Sequence, residues 1–522
     1  MSLSRRFLIH MVGKAGGVAA AYRTMSAMGL LPVPAAYAGP PSLPPGNGTK
    51  ILILGAGIAG MVAAWELREA GYDCTILEAR SRAGGRNWTL RAGDEILETD
   101  SVQRVRWDTG EHLYFNPGPA RIPHHHEGIL AYCRILGVKL EILCNDNRAA
   151  FMQDDAAFGG QPQRNRAVVN DSRGYVAELA AKAVDRNLLD QPVSTDDLER
   201  IRAFLRAFGA LDQDLVYRGS SRAGYAVPPG AGEQSGALNP PLDLRQLLAS
   251  RFWNGRTEFN EFFDQSATML QPLGGMGQIG GAFGRKLFSV IRLNAEATQL
   301  RHTVDGARVI WKDNHDGTEH ADDAAFVICT IPPPVLRTLE ADFAPAVRAA
   351  LAAPDFIPAA RAAFLAERRF WELDCGIYGG ITWTNRPSEQ IWYPSAGIGQ
   401  KKGVYIGAYI WSERGGAAFT DKPLAQRLSD TLGDTEAVHP GASQLLRKGV
   451  SVAWKKIPYN LGAWAEWSAD DRSGAYATLL NGDGPFLFAG EHLSYINGWQ
   501  EGAVRSAHYT LARLAERIQA RR

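Results

Sequence analysis

The chemistry-bearing residues of this chain begin with three glycines and an acid. Gly55, Gly57 and Gly60 stand in a Gly-x-Gly-x-x-Gly pattern, and Glu78 ends the apolar run that follows. The first glycine permits a tight turn, the second lets backbone approach a pyrophosphate, and the third lets helix and strand pack closely. An acid at the end of the next strand can accept hydrogen bonds from a ribose 2′-hydroxyl. The helix that opens at such a turn offers its N–H groups and positive dipole end to phosphates. Directly after Glu78, the stretch Ala79 to Arg86 holds a second glycine pair, Gly84-Gly85. It can meet the same pyrophosphate from the other side, and Arg86 can give a phosphate a charge-assisted bond. Arg121, in Gly118-Pro119-Ala120-Arg121, reads in isolation as an exposed turn arginine. His124, His125 and His126 invite a metal, but consecutive side chains point in different directions, so no metal site is expected.

These groups need elements to hold them. Ile51 to Leu54 and the run ending at Glu78 read as strands, with a helical stretch between them, so the glycines sit in a dinucleotide-binding βαβ unit. A chain of 522 residues exceeds one core, and 45% hydrophobic residues suffice to fill two or three globular domains. The net charge of +1, with no long run of either sign, gives no reason to expect nucleic acid as a partner. Five scattered cysteines without a C-x-x-C pair imply neither a disulfide framework nor zinc. No run of 18 apolar residues exists, so no membrane span is expected.

The run from Glu78 through Arg86 resembles the E-A-x-x-R-x-G-G-R segment of the flavin-dependent amine oxidases, and Gly118-Pro119-Ala120-Arg121 resembles the segment that their L-amino-acid oxidase subgroup lays along the flavin. The resemblance covers nearly the whole chain from about residue 49, with gaps in a helical insert. It implies FAD, bound along Gly55, Gly57, Ala59, Gly60, Glu78, Ala79, Arg80, Gly85 and Arg86. Gly118, Pro119, Ala120, Arg121, Ala297 and Trp454 continue the cofactor site, and Gly490, Glu491, Gly498, Trp499 and Ala503 complete it. A helix from about Gln500 would aim its N-terminus at the flavin edge where negative charge gathers on reduction. Covalent relatives carry a cysteine where Ala463 stands, so FAD is expected to be noncovalent.

The same resemblance implies the catalytic set. Arg121 pairs with the substrate α-carboxylate, Tyr409 donates to that carboxylate, and Trp464 and Trp499 wall the pocket in which the reacting amine sits. Arg361 falls where these oxidases usually carry a lysine that holds a water near flavin N5, a departure that leaves the water site open. Tyr405 shares the alternation of Tyr409 and is the competing tyrosine. The expected activity is oxidative deamination of L-amino acids with O2 as acceptor. An amine or polyamine oxidase, an amide-forming monooxygenase and a non-enzymatic flavoprotein scaffold are the rivals.

The expected architecture is α/β: an FAD-binding, Rossmann-like domain of the glutathione-reductase type from residues 47–110, 269–345 and 454–522. A mixed-sheet substrate domain takes 111–144 and 346–453, and an inserted helical subdomain takes 145–268. In that insert Ser194 to Asp197 form a capping box before Leu198, Ile201, Leu205 and Phe208, closed by Gly209. Residues 1–46 combine Arg5-Arg6 with a weakly apolar stretch ending at Ala36-Tyr37-Ala38. They read equally as a twin-arginine export signal and as a packed helix, leaving periplasmic and cytoplasmic locations open. A homodimer or higher homo-oligomer is the expected assembly.

Overall fold

The computed structural model describes residues 39–186 and 193–521, and Ser42 to Arg522 cluster as one compact unit. The twin-arginine-like stretch and its Ala36-Tyr37-Ala38 end lie outside the described residues.

Strand β1 (Lys50–Leu54), helix α1 (Ile58–Glu69) and strand β2 (Asp73–Glu78) form the expected βαβ unit. They lie in a five-stranded parallel sheet ordered Ile291–Leu293, β2, β1, Phe326–Cys329, Phe486–Phe488. The continuous apolar run of β1 reflects cover on both faces. Ile51 and Ile53 enter one core with Met61, Val62 and Leu511, while Leu52 and Leu54 enter another with Val309, Trp311 and Phe343. The C-terminal helix Gln500–Arg521 packs beside α1 on the first of these faces.

A mixed seven-stranded sheet carries the second half of the site. Its order is Leu446–Ala453, Ala360–Ala366, Gly403–Ile410, Gln390–Tyr393, Gly380–Thr384, Phe151–Gln153, Gln163–Arg164. Its last two strands come from 145–268, the stretch read as helical. Three and two residues long, they are too short to impose a period on the sequence. The helices Asn165–Asp185 and Thr195–Gly209 do form there, and Ser194 Oγ accepts from the Asp197 N–H at 3.2 Å as the capping box requires. Of the apolar positions after the cap, Phe208 is 40% exposed, and the helix, expected to close at Gly209, closes on Ala210 in a left-handed conformation (φ 53°).

Residues 346–453, read as strands, also contain the helices Glu413–Thr420 and Leu424–Val438. The buried stripe of the latter is Arg427, Thr431, Asp434, Thr435 and Val438, so polar residues hid its helical period. Met269–Pro272, expected to return the chain to the cofactor domain, pairs with Ile122–Pro123 and Leu140–Leu143 instead. The return is made just afterwards, by the helix Gly277–Lys286 against α1. Among the described residues no helix is long and apolar enough to cross a membrane.

Candidate active site

One cavity of about 430 Å³ runs between the two sheets, from the Gly55 turn to Trp464 and Trp499. At its first end the glycines do what their spacing implies. Gly55 turns with φ +101°, a conformation that side-chain-bearing residues rarely adopt. A Cβ on Gly60 would stand 2.0 Å from the Gly55 carbonyl oxygen, so this glycine packs the helix and does not reach the cavity. Over Gly57 there is open space. Gly85 comes at it from the far side, where a Cβ would stand 3.2 Å from the Gly57 Cα. The two glycine turns thus approach each other backbone to backbone.

Glu78 is 4% exposed. Its carboxylate accepts from the Ala56 N–H at 2.8 Å and the Arg80 N–H at 3.0 Å. Ala59, Ala79, Arg80 and Ala297 border the same end. Arg80 also donates to Asn460 Oδ1 at 2.6 Å and to the Pro458 carbonyl. Arg86 lines the cavity, as expected, but its guanidinium is already engaged. It donates to Glu491 Oε1 at 2.7 Å and to the Ala463 carbonyl, while Glu491 Oε2 accepts from the Gly498 N–H at 2.9 Å.

The second end is bordered by Gly118, Pro119, Arg361, Tyr409, Trp454, Trp464, Gly490, Gly498, Trp499, Gln500 and Ala503. A Cβ on Gly118 would meet the Arg86 carbonyl oxygen at 2.3 Å, and the Trp454 Nε1–H donates to the Pro117 carbonyl at 2.8 Å. This backbone strip is therefore clamped between the Arg86 backbone and Trp454.

Of the remaining expected residues, Ala120 and Arg121 lie behind the cavity wall. Ala120 packs in a core with Met152, Val168 and Phe259. Arg121 is 6% exposed, with its Cζ 4.7 Å from the Trp392 ring centroid, 5.6 Å from Trp499 and 5.7 Å from Phe259. It is therefore not the exposed turn arginine that its local sequence suggested. Burial lowers its pKa to about 10, with Tyr409 acting in the opposite direction, so the group stays cationic at neutral pH.

Arg361 and Tyr409 are cross-strand partners. The Arg361 guanidinium lies 3.7 Å from the Tyr409 ring centroid and donates to the Asn116 carbonyl at 2.6 Å. Burial lowers its pKa, and Tyr409 opposes that shift. The competition between Tyr405 and Tyr409 is decided by a bulge. Ala362 opposes Ala408 but Ala363 opposes Ile406, so Gly407 is an extra residue. The strand alternation breaks there, and Tyr405 enters a core with Phe370, Trp371 and Tyr393 while Tyr409 turns to the cavity.

The sequence did not reveal the aromatic cluster beside the two arginines, in which Phe259 and Trp392 meet the guanidinium groups and Trp383 and Trp411 pack on Phe259. These residues meet only after a loop of the helical insert docks on the large sheet; Trp392 on its strand Gln390–Tyr393 was the one visible signal. The histidine run behaves differently from expectation as well. His125 and His126 Nε2 both reach Asp264 Oδ1, at 2.9 and 3.4 Å, although their rings stand 83° apart. His126 packs edge-on to Trp499, with centroids 5.1 Å apart.

The cradle fits a dinucleotide carrying a redox ring. Open space over Gly57 and a buried carboxylate at Glu78, with Arg80 and Arg86 on the cavity wall, suit an adenosine diphosphate held chiefly by backbone N–H groups. At the other end the Gln500 Oε1 is buried without a partner at the opening of a helix, next to two tryptophans. A dinucleotide fold with that second chamber defines an FAD-binding oxidoreductase. The chain belongs to the family of flavin containing amine oxidoreductases, whose model matches residues 58–514. An L-amino-acid oxidase of Siganus canaliculatus is 29% identical over 88% of this chain and 83% of its own length. The flavin-dependent L-tryptophan oxidase RebO of Lentzea aerocolonigenes is 27% identical over 88% and 96%. Among solved structures, putrescine oxidase bound to putrescine shares the fold with a TM-score of 0.58, at 16% identity over 90% of this chain and 99% of that one. Cyclohexylamine oxidase from Brevibacterium oxydans does so with 0.58, at 15% over 90% and 100%.

Proposed function

We propose that the protein oxidatively deaminates L-amino acids to 2-oxo acids, with release of ammonia and hydrogen peroxide. The observation that carries this reading is Arg121. It is a buried guanidinium, framed by Trp392 and Trp499, with no hydrogen-bond acceptor or acid paired to it among the described residues. A buried charge without a counterion is costly, and the planar fork of arginine suits a carboxylate, which simple amines lack. The amino-acid-oxidising relatives support the same reading, whereas the amine oxidases share only the fold.

Bound along the Gly55 and Gly85 turns and beside Trp464 and Trp499, FAD would supply the two-electron acceptor for oxidation at the substrate Cα, with O2 as the final acceptor. The protein's own part is positioning. Arg121 and the Tyr409 hydroxyl take the α-carboxylate, a step that requires the Trp499 side of the cavity to open onto Arg121. The faces of Trp464 and Trp499 flank the amino group and can donate it no proton, which leaves the nitrogen lone pair available as Cα is oxidised. The N-terminus of the Gln500 helix favours negative charge at the neighbouring ring edge. The side chain of Ala463 offers no nucleophile, in keeping with noncovalent FAD.

Purified holoenzyme given L-amino acids should yield peroxide, ammonia and 2-oxo acid in equal amounts. An amide product would replace this reading with a monooxygenase. Peroxide from amines alone would replace it with an amine oxidase.

A further inference from the structure

Buried arginines elsewhere in the protein carry their own acids. Arg369 pairs with Glu372 at 2.6 Å, and Arg427 pairs with Glu98. Arg86 and Arg80, at the phosphate end of the cavity, are matched by Glu491 and Glu78. Arg121 and Arg361 break this rule together. They are 6% and 3% exposed, no acid among the described residues pairs with either, and the Nε of each is buried without a partner. Both guanidinium groups flank one ring, with Cζ at 4.7 and 5.6 Å from the Trp392 centroid. Aromatic rings stand beside both, Trp392, Trp499 and Phe259 by Arg121 and Tyr409 and Trp392 by Arg361. On Arg121 the hydrogen-bonding fork has no acceptor among the described residues; on Arg361 Nη1 is taken by the Asn116 carbonyl and the group also bonds Tyr409, which leaves its buried Nε unpaired.

Resting on the amino-acid oxidase reading, this arrangement has a charge surplus. A monocarboxylic substrate, reacting with its amine neutral, brings one negative charge to two buried positive ones. We propose that Arg361 binds a second carboxylate, and that the preferred substrates are L-amino acids with an acidic side chain, of the glutamate and aspartate class. Arg121 takes the α-carboxylate and Arg361 the side-chain carboxylate. The ligand thereby supplies both counterions that the fold withholds.

The test uses holoenzyme and two non-reacting probes of equal length, glutarate and its monoamide, followed by their perturbation of the flavin absorption band. Glutarate should bind roughly 10- to 100-fold tighter, the range expected for a hydrogen bond to a charged group. In turnover, kcat/KM for L-glutamate should exceed that for L-glutamine by a similar factor. Arg361→Met should bring both ratios close to one, and Arg361→Lys should retain part of each. Equal binding of glutarate and its monoamide by the unaltered enzyme overturns the proposal without any variant. Ratios that survive Arg361→Met overturn it as well. A glutarate preference that depends on Arg361, in a protein that oxidises no L-amino acid, supports the second-carboxylate site and overturns the oxidase reading instead.

Discussion

Arg86 and Glu491 join the two ends of the cofactor domain through a 2.7 Å ion pair. Arg86 closes the glycine turn after β2, and Glu491 opens the C-terminal turn whose Gly498 N–H it also holds. One carboxylate therefore sets the position of the cationic side chain and of the loop that leads into the Gln500 helix. Glu491→Ala frees both. FAD release, followed by flavin fluorescence on dilution, should show affinity weakened roughly 10- to 100-fold, the loss expected for charge-assisted bonds. Unchanged affinity would mean that the pair only packs the domain.

The bulge at Gly407 separates Tyr409, the tyrosine expected at the carboxylate, from its competitor Tyr405. Tyr409→Phe should raise KM for the L-amino acid about 10-fold, since it removes one hydrogen bond to the carboxylate. Tyr405→Phe alters a core contact and should leave KM unchanged. Equal effects on KM would contradict the assignment.

The ion pair between Glu98 and Arg427 is almost completely dry, with side-chain exposures of 0% and 1%, and Glu98 also accepts from the Ala453 N–H at 2.8 Å. Glu98→Gln leaves a buried cation without its counterion. Urea unfolding should show a loss of about 3–5 kcal/mol. Such a loss should appear at pH 7 without any change in substrate preference.

Three buried histidines make stability depend on acid. Desolvation lowers His439, His492 and His508 from 6.5 to about 4. Between those values the unfolded chain binds more protons than the folded one, so stability is full above about pH 6.5 and is lost as pH falls towards 4. Each group contributes at most roughly 3 kcal/mol to that loss. His439 shares a hydrogen bond of 2.6 Å with the Tyr393 hydroxyl in the core, away from the cavity. Comparing urea unfolding at neutral and acid pH, His439→Gln should flatten the dependence; an unchanged slope would show that other groups set it.

Much of this was legible in the sequence because the cofactor end is written locally. Gly55, Gly57, Gly60 and Glu78 lie within one βαβ unit, where spacing alone fixes turn, helix start and strand end. The substrate end is assembled from segments far apart in the chain. Arg121 looked like a surface turn residue because the rings that bury it, Trp392, Trp499 and Phe259, come from three other segments. The strand alternation that made Tyr405 a competitor of Tyr409 fails at a one-residue bulge, whose sequence mark is the single Gly407 inside the strand. The helix Leu424–Val438 was missed because its buried stripe is polar, and two strands in the insert were missed because they are only two or three residues long. His125 and His126 were judged unable to converge, yet Asp264 arrives from a distant loop to accept from both.

The proposed role of Arg121, making this flavin site an amino-acid site, is tested most directly by kcat/KM for an L-amino acid and for the amine of the same side chain, in the unaltered enzyme and in Arg121→Met. For the amino acid kcat/KM should fall roughly 10²- to 10³-fold, corresponding to about 3–4 kcal/mol for a buried charge deprived of its partner, with little change for the amine. Equal effects on both substrates, or turnover of the amino acid undiminished by Arg121→Met, would contradict it.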